Sequence, residues 1–119
     1  MKRSNDPSTP VSQGATNVSI MDVLALDWMS IGALHYLIVV EKVTTYIWCR
    51  LFGHPTTANS LQMISEIITD HGCPKLIVSD SSPSFRGEFV ASLQEMNIDH
   101  TSTAAYLAKT NEKAETQSN

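Results

Sequence analysis

The chain has 119 residues, which is long enough for one domain with a real core but short for a complex enzyme. Its 12 Asp and Glu residues against 8 Lys and Arg residues give a formal net charge of −4. That balance argues against a protein held on nucleic acid by bulk charge alone. The sequence contains no stretch of about 18 apolar residues, so we predict no membrane-spanning segment.

The first 17 residues differ in composition from the rest of the chain. Residues 1–17 are rich in Ser, Thr, Asn and Pro and carry no apolar period, so we predict a disordered polar tail there. They also lack the hydrophobic segment of a signal peptide. Residues 18–119 then form the single predicted domain. Cys49 and Cys73 have no metal or redox spacing, and we expect two buried, reduced thiols in an intracellular protein.

Three apolar runs rich in β-branched and aromatic residues open the domain. Val23 to Met29, Tyr36 to Val40 and Thr44 to Leu51 each have the composition of a strand. The connectors between them are short, whereas parallel neighbours need a crossover of about a dozen residues or more. We therefore predict an antiparallel meander.

The second half of the domain alternates between helices and strands. Thr56 or Thr57 can cap a helix with one apolar face, and Gly72 followed by Pro74 ends it. Lys75 to Ser79 is the fourth predicted strand, and the helix before it makes a right-handed crossover plausible. The remaining predicted elements are a helix around Phe89, Leu93 and Met96, a strand at Ile98 to Ser102, and a helix from near Thr110 that contains Glu115. This order predicts an α/β domain with a mixed five-stranded sheet and flanking helices.

Carboxylates placed in or beside the apolar runs are the candidate functional residues. Asp27 interrupts the first predicted strand, and Asp80 closes the fourth. A short apolar run of this kind is typical of a strand buried on both faces, where a carboxylate needs a cation or several hydrogen bonds. Pairing of the first and fourth strands would bring the two side chains together, and Glu115 is the candidate third ligand. Hard oxygen ligands without nearby His or Cys favour Mg²⁺ or Mn²⁺ over zinc.

Each candidate also has a simpler structural interpretation. Backbone N–H groups could satisfy Asp27, and Asp80 could cap the turn that begins at Ser81. Glu115 alone would be an exposed glutamate on a helix. These alternatives stay open at the level of single residues.

Four segments of the chain carry motifs in a fixed order. The most specific is His-Gly-Cys-Pro-Lys-Leu-Ile-Val-Ser-Asp at residues 71–80, which continues as Pro-Ser-Phe at residues 83–85. The others are residues 21–28, 35–41 and 105–115. In this order they resemble the catalytic core of retroviral and gypsy-like LTR-retrotransposon integrases, which are Asp-Asp-Glu polynucleotidyl transferases.

Each segment matches one part of that family's pattern. Residues 71–80 are similar to H-G-x-P-x-x-I-x-S-D, followed by P-x-F, and residues 105–115 are similar to P-Y-H-P-Q-S-N-G-x-A-E. Residues 21–28 are similar to the first catalytic strand, and residues 35–41 to the second strand, with Glu41 at a usual Asp position.

The resemblance implies a ribonuclease-H-like fold and DNA integration by metal-dependent phosphodiester cleavage and strand transfer. It carries the catalytic, metal-binding triad onto Asp27, Asp80 and Glu115, with two Mg²⁺ or Mn²⁺ ions if the chain is active. It also implies DNA as the partner, both retroelement ends and target DNA, a homodimer through the core, and a nuclear location. No membrane and no small-molecule substrate are expected. The residues assigned to DNA contact by this resemblance are Tyr106, Lys109, Asn111 and Lys113, although Tyr106 could instead cap the core and the lysines could be solvated.

Several departures from the family pattern bear on activity. The turn Asn-Gly after the second aspartate is here Ser81-Ser82, and the loop before Glu115 has Leu107-Ala108 and Asn111-Glu112 in place of His-Pro and Asn-Gly. These substitutions favour helix and add negative charge near phosphates. We also expect the core to be incomplete at its C-terminus and the isolated chain to have little activity. The alternatives are an inactive or domesticated retroelement remnant that binds nucleic acid or protein, and an unrelated α/β binding domain.

Overall fold

The structure is a computed structural model that describes residues 18–118, with side chains described from residue 18 to residue 110. The predicted polar tail, residues 1–17, lies outside the described residues. Among the helices of the described part, none is both long and apolar enough to cross a membrane.

The elements follow one another in the predicted order. They are β1 (Val23–Ile31), β2 (Leu34–Glu41), β3 (Ile47–Phe52), α1 (Thr57–His71), β4 (Leu76–Ser79), a short 3₁₀ turn (Pro83–Phe85), α2 (Glu88–Glu95), β5 (Asp99–Ser102) and α3 (Thr103–Ser118). The last helix was predicted to begin near Thr110, and that start was wrong. It begins at Thr103 because the Ser102 hydroxyl accepts a hydrogen bond from the Ala105 N–H (3.1 Å), which caps the helix directly after β5.

The sheet has five strands in the order β3-β2-β1-β4-β5. β1 pairs with β2 and β2 with β3 in antiparallel fashion, so the predicted meander is confirmed. β4 lies parallel to β1 on one side and parallel to β5 on the other. The predicted pairing of the first and fourth strands is therefore confirmed, and its register places Leu26 opposite Ser79.

Helices α1 and α2 cover one face of the sheet. The Thr56 hydroxyl caps α1 by accepting from the Asn59 N–H (3.1 Å), and Gly72 ends the helix at a φ of 96° that favours glycine. The apolar face of α1 then packs on the inward residues of the strands. The buried core is Leu24, Leu26, Leu37, Val39, Met63, Ile64, Ile67, Ile77, Phe85, Phe89, Leu93 and Ile98.

The opposite face of the meander is open in the described structure, which corrects the prediction that β1 is buried on both faces. From Asp27 onward, the side chains that alternate with the core positions of β1 are exposed, and Ile31 reaches 58%. Leu51 on β3 is 52% exposed on the same face. The physical reason is that α1 and α2 pack on the other face only. Cys49, also on this face, is free and exposed, as is Cys73, so the prediction of buried thiols was wrong.

Candidate active site

Asp27 and Asp80 lie next to each other where two parallel strands separate. Leu26 and Ser79 are the last matched pair between β1 and β4, and both side chains point into the core. Asp27 follows Leu26 within β1, and Asp80 follows Ser79 directly after the end of β4. Side chains alternate between the two faces of a sheet. The side chains of Asp27 and Asp80 consequently both project away from the core, and both are exposed.

The two carboxylates interact electrostatically. The pKa of Asp27 is raised, first because the surrounding sheet removes part of its hydration and second because the negative charge of Asp80 opposes ionisation. A hydrogen bond from the backbone at Trp28 offsets part of this effect. The Asp27 side chain is thus exposed but not fully hydrated, and the charge that acts on it, that of Asp80, has the same sign.

Asp80 also makes the turn contact that its sequence context allows. Its Oδ1 accepts hydrogen bonds from the backbone N–H of Ser82 (2.9 Å) and from the Ser82 hydroxyl. Both contacts use the same oxygen. The turn-capping interpretation therefore describes a real interaction, and it is compatible with a ligand role for the other oxygen.

The residues that are present fit a hard divalent cation. Two exposed carboxylates lie on neighbouring strands and repel each other, and among the described side chains neither forms an ion pair with a Lys, Arg or His. A cation between them would remove the repulsion that raises the Asp27 pKa, and oxygen ligands suit Mg²⁺ or Mn²⁺. Within the described side chains, no group of three His, Cys, Asp or Glu residues forms a metal cluster. Glu115 lies on α3, but its side chain is outside the described set, so its role as third ligand stays a prediction.

The residues predicted to contact DNA all lie on α3. Tyr106 is half-buried and Lys109 is exposed, and both line a groove of about 830 Å³ together with Lys75. The Lys42 ammonium lies 5.9 Å from the centroid of the Tyr106 ring, which adds a cation–π contact. The groove therefore combines an aromatic ring with positive side chains. The two remaining candidates, Asn111 and Lys113, lie on the same helix outside the described side chains.

A second depression, of about 410 Å³, adjoins Asp80. It is lined by Arg86, Gln94 and His100 among others, and Gln94 and His100 also line the larger groove. The two depressions thus adjoin each other near the edge strand β5. Arg86 was missed by the sequence analysis, and the available signal was a basic residue directly after the P-x-F continuation of the Asp80 motif.

Among the described side chains, the buried carboxylate is that of Glu41, at the end of β2. Its side chain is 1% exposed, and each of its two oxygens accepts two hydrogen bonds. The donors are the backbone N–H groups of Met21, Val43 and Thr44 and the hydroxyl of Thr44. Burial alone would raise the pKa of Glu41, but these hydrogen bonds lower it to about 2. Glu41 is therefore an ionised structural residue that needs no cation.

Comparison with known proteins gives one curated relative. No protein-family model matches the chain. The chain is 27% identical over 86 residues to the uncharacterized protein K02A2.6 of Caenorhabditis elegans. That alignment covers 71% of this chain but only 7% of the worm protein.

Solved structures show the fold. The HTLV-2 integrase catalytic core domain, solved in complex with magnesium in a dimeric form, superposes with a TM-score of 0.63 at 16% identity, over 70% of this chain and 60% of that one. The catalytic core domain of BIV integrase gives a TM-score of 0.63 at 14% identity, over 69% of this chain and 54% of that one. The chain thus has the ribonuclease-H-like fold of retroviral integrase catalytic cores, and the resemblance seen in the sequence is confirmed at the level of the fold.

Proposed function

We propose that this chain is an integrase-type catalytic core of retroelement origin that acts in DNA integration by metal-dependent phosphodiester cleavage and strand transfer. The observation that carries the proposal is the juxtaposition of Asp27 and Asp80 where two parallel strands separate. Asp80 follows the carboxyl end of its strand, where ligand groups in α/β sheets commonly lie. The fold shared with integrase cores supports the same proposal.

The two aspartates would hold the cations, with Asp27 shared between two ions and Glu115 completing the set. When bound, two divalent ions activate the attacking oxygen and stabilise the leaving oxygen of an in-line displacement. The protein's own contribution is to hold two like charges close together on neighbouring strands anchored by the core. Partial burial, and second the negative charge of Asp80, raise the pKa of Asp27 before any cation binds. The magnesium in the HTLV-2 core structure supports the choice of metal.

The two adjoining depressions near β5 would guide the DNA backbone. One is lined by Asp80 and Arg86 and the other by Lys75, Tyr106 and Lys109, so positive and aromatic groups would line a path beside the proposed metal centre. Asn111 and Lys113 would extend this path along α3. The partners would be retroelement ends and target DNA, and the protein would act in the nucleus. The dimeric form of the HTLV-2 core supports a homodimer for this chain as well.

One observation favours a second candidate function, that of a catalytically inactive remnant that binds nucleic acid or protein. The segment before Glu115, which in the family pattern is a Gly- and Pro-containing loop, belongs here to the continuous helix α3 from Thr103 to Ser118. A helix adapts less readily to DNA than a loop with Gly and Pro. The bond from Ser82 to Asp80 also occupies one oxygen of the proposed ligand.

A plasmid-nicking assay with Mn²⁺ distinguishes the two functions. The enzyme predicts slow nicking of supercoiled DNA by the chain, abolished by Asp80→Asn and by Asp27→Asn but retained by Asp70→Asn, which changes an exposed aspartate on α1. The remnant predicts no nicking by any variant, while DNA retention in a gel-shift assay falls when Lys109 is changed to Glu. Nicking that survives Asp80→Asn would contradict both assignments of the site.

A further inference from the structure

We propose that His100 is a positioning residue for Asp80, which it holds in place through the hydroxyl of Ser79. The inference rests on the proposed function, because it concerns how one ligand of the metal centre is held. It adds a residue from β5, a strand that contributes neither aspartate.

The connection consists of two hydrogen bonds. Ser79 is completely buried at the end of β4, and its Oγ lies 2.7 Å from Nε2 of His100. The same Oγ lies 3.1 Å from the carbonyl oxygen of Asp80. The two bonds thus link the edge strand β5 to the backbone of the ligand residue.

The number of hydrogens fixes the direction of the chain. A serine hydroxyl has one hydrogen, and a carbonyl oxygen can only accept. If the hydroxyl donates to the Asp80 carbonyl, then Nε2 of His100 must carry the hydrogen and donate to Ser79 Oγ. Both bonds form together only in that arrangement, so we assign the Nε2–H form of the ring.

The imidazole itself is held by packing. The His100 ring stands edge-on to Phe89, with centroids 6.2 Å apart and an interplanar angle of 82°. Phe89 is completely buried in the core. His100 is half-buried, and burial lowers the pKa of its ring, which keeps it neutral near neutral pH. A neutral ring with one N–H and a fixed plane is suited to hold a hydroxyl in one orientation.

Asp80 needs this support because the strand no longer provides it. β4 ends at Ser79, so Asp80 is the first residue beyond the strand. Its side chain is steadied by Ser82 on one side, and its carbonyl by Ser79 on the other. Groups that orient a metal ligand from behind typically change metal affinity by about 10- to 100-fold when they are removed.

The first test needs no metal. In the metal-free protein, the carbonyl ¹³C resonance of Asp80 reports its hydrogen bond directly. His100→Leu should move that resonance upfield, and His100→Gln, whose amide can still donate to Ser79, should keep it near the wild-type position. The control is His71→Leu, which removes a histidine that packs against an aromatic ring at the end of α1. This variant should leave the Asp80 resonance unchanged. An unmoved Asp80 resonance in His100→Leu would overturn the proposal.

The second test measures Mn²⁺ affinity by electron paramagnetic resonance, with each variant kept well below its melting temperature. We expect His100→Leu to weaken binding by roughly 10-fold, His100→Gln to stay within about 3-fold, and His71→Leu to match the wild type. Ser79→Ala, which removes only the bridging oxygen, should reproduce the loss and add little to His100→Leu in the double variant. If His100→Leu does not fold, Ser79→Ala decides the question alone. If His100→Leu and Ser79→Ala both bind Mn²⁺ as tightly as the wild type, the proposed role of His100 is overturned. If the wild type itself binds no Mn²⁺, the metal centre is refuted, and the carbonyl ¹³C resonance of Asp80 alone decides the role of His100.

Discussion

Replacement of Glu41 by Gln should destabilise the fold more than replacement of any exposed carboxylate. Both oxygens of Glu41 accept two hydrogen bonds each, and the side chain is buried. Glutamine keeps the shape but turns one oxygen into an amino group that donates. At either position that group must face two of these donors. The Thr44 hydroxyl can rotate and accept from the amide, but a backbone N–H cannot, so at least one buried N–H is left unpaired.

The magnitude follows from the pKa of Glu41. The folded value of about 2 against an ordinary value of 4.5 means that folding favours the ionised form. One pKa unit corresponds to about 1.4 kcal/mol, so ionised Glu41 contributes at most about 3.5 kcal/mol. Because the folded pKa is lowered, this stabilisation is present above about pH 4.5 and is lost as the pH falls towards 2.

Urea unfolding monitored by circular dichroism measures this effect. At neutral pH we expect Glu41→Gln to lose about 2–3 kcal/mol of unfolding free energy, while the control Glu95→Gln, at an exposed position on α2, changes by less than about 0.5 kcal/mol. The difference between wild type and Glu41→Gln should shrink as the pH falls below 4.5, because the wild type then loses the same charge. Equal stability of wild type and Glu41→Gln at neutral pH, or a difference that grows in acid, would refute the reasoning.

Two further predictions concern the surface of the domain. Thr56→Ala should lower the unfolding free energy by roughly 1 kcal/mol because it removes the hydroxyl that accepts from the Asn59 N–H. Thr56→Ser keeps a hydroxyl and should not lower it, and urea unfolding of both variants measures the difference. Leu51→Lys, on the open face of β3, should reduce binding of a hydrophobic dye and change the unfolding free energy by no more than about 0.5 kcal/mol. A large loss of unfolding free energy would mean that Leu51 is covered in solution.

The fold was predictable because its signals are local. Alternating or continuous apolar runs mark the strands, short connectors require the meander, and Thr56 and Gly72 mark the ends of α1. The start of α3 was missed because Ser102 acts as both the last residue of β5 and the cap of the next helix. Composition gives no direct sign of such a dual role.

The site was predictable only in part, because burial depends on partners distant in sequence. An apolar run cannot show whether one or both faces of its strand are covered, so Asp27 was expected in a buried strand and is exposed. Glu41, which ends an apolar run in the same way as Asp80, is the carboxylate that the core encloses. The bond between Ser79 and His100 joins residues 21 positions apart and depends on the register of β4 and β5. Sequence spacing alone does not give that register.

The central claim is that Asp27 and Asp80 share a divalent cation. Crystals grown with Mn²⁺ test it most directly, through an anomalous difference map collected near the manganese edge. We predict a peak within about 2.5 Å of an oxygen of each carboxylate, and its loss in Asp27→Asn crystals grown in the same way. A map with no peak between these two residues, or a peak that persists unchanged in Asp27→Asn, would contradict the claim.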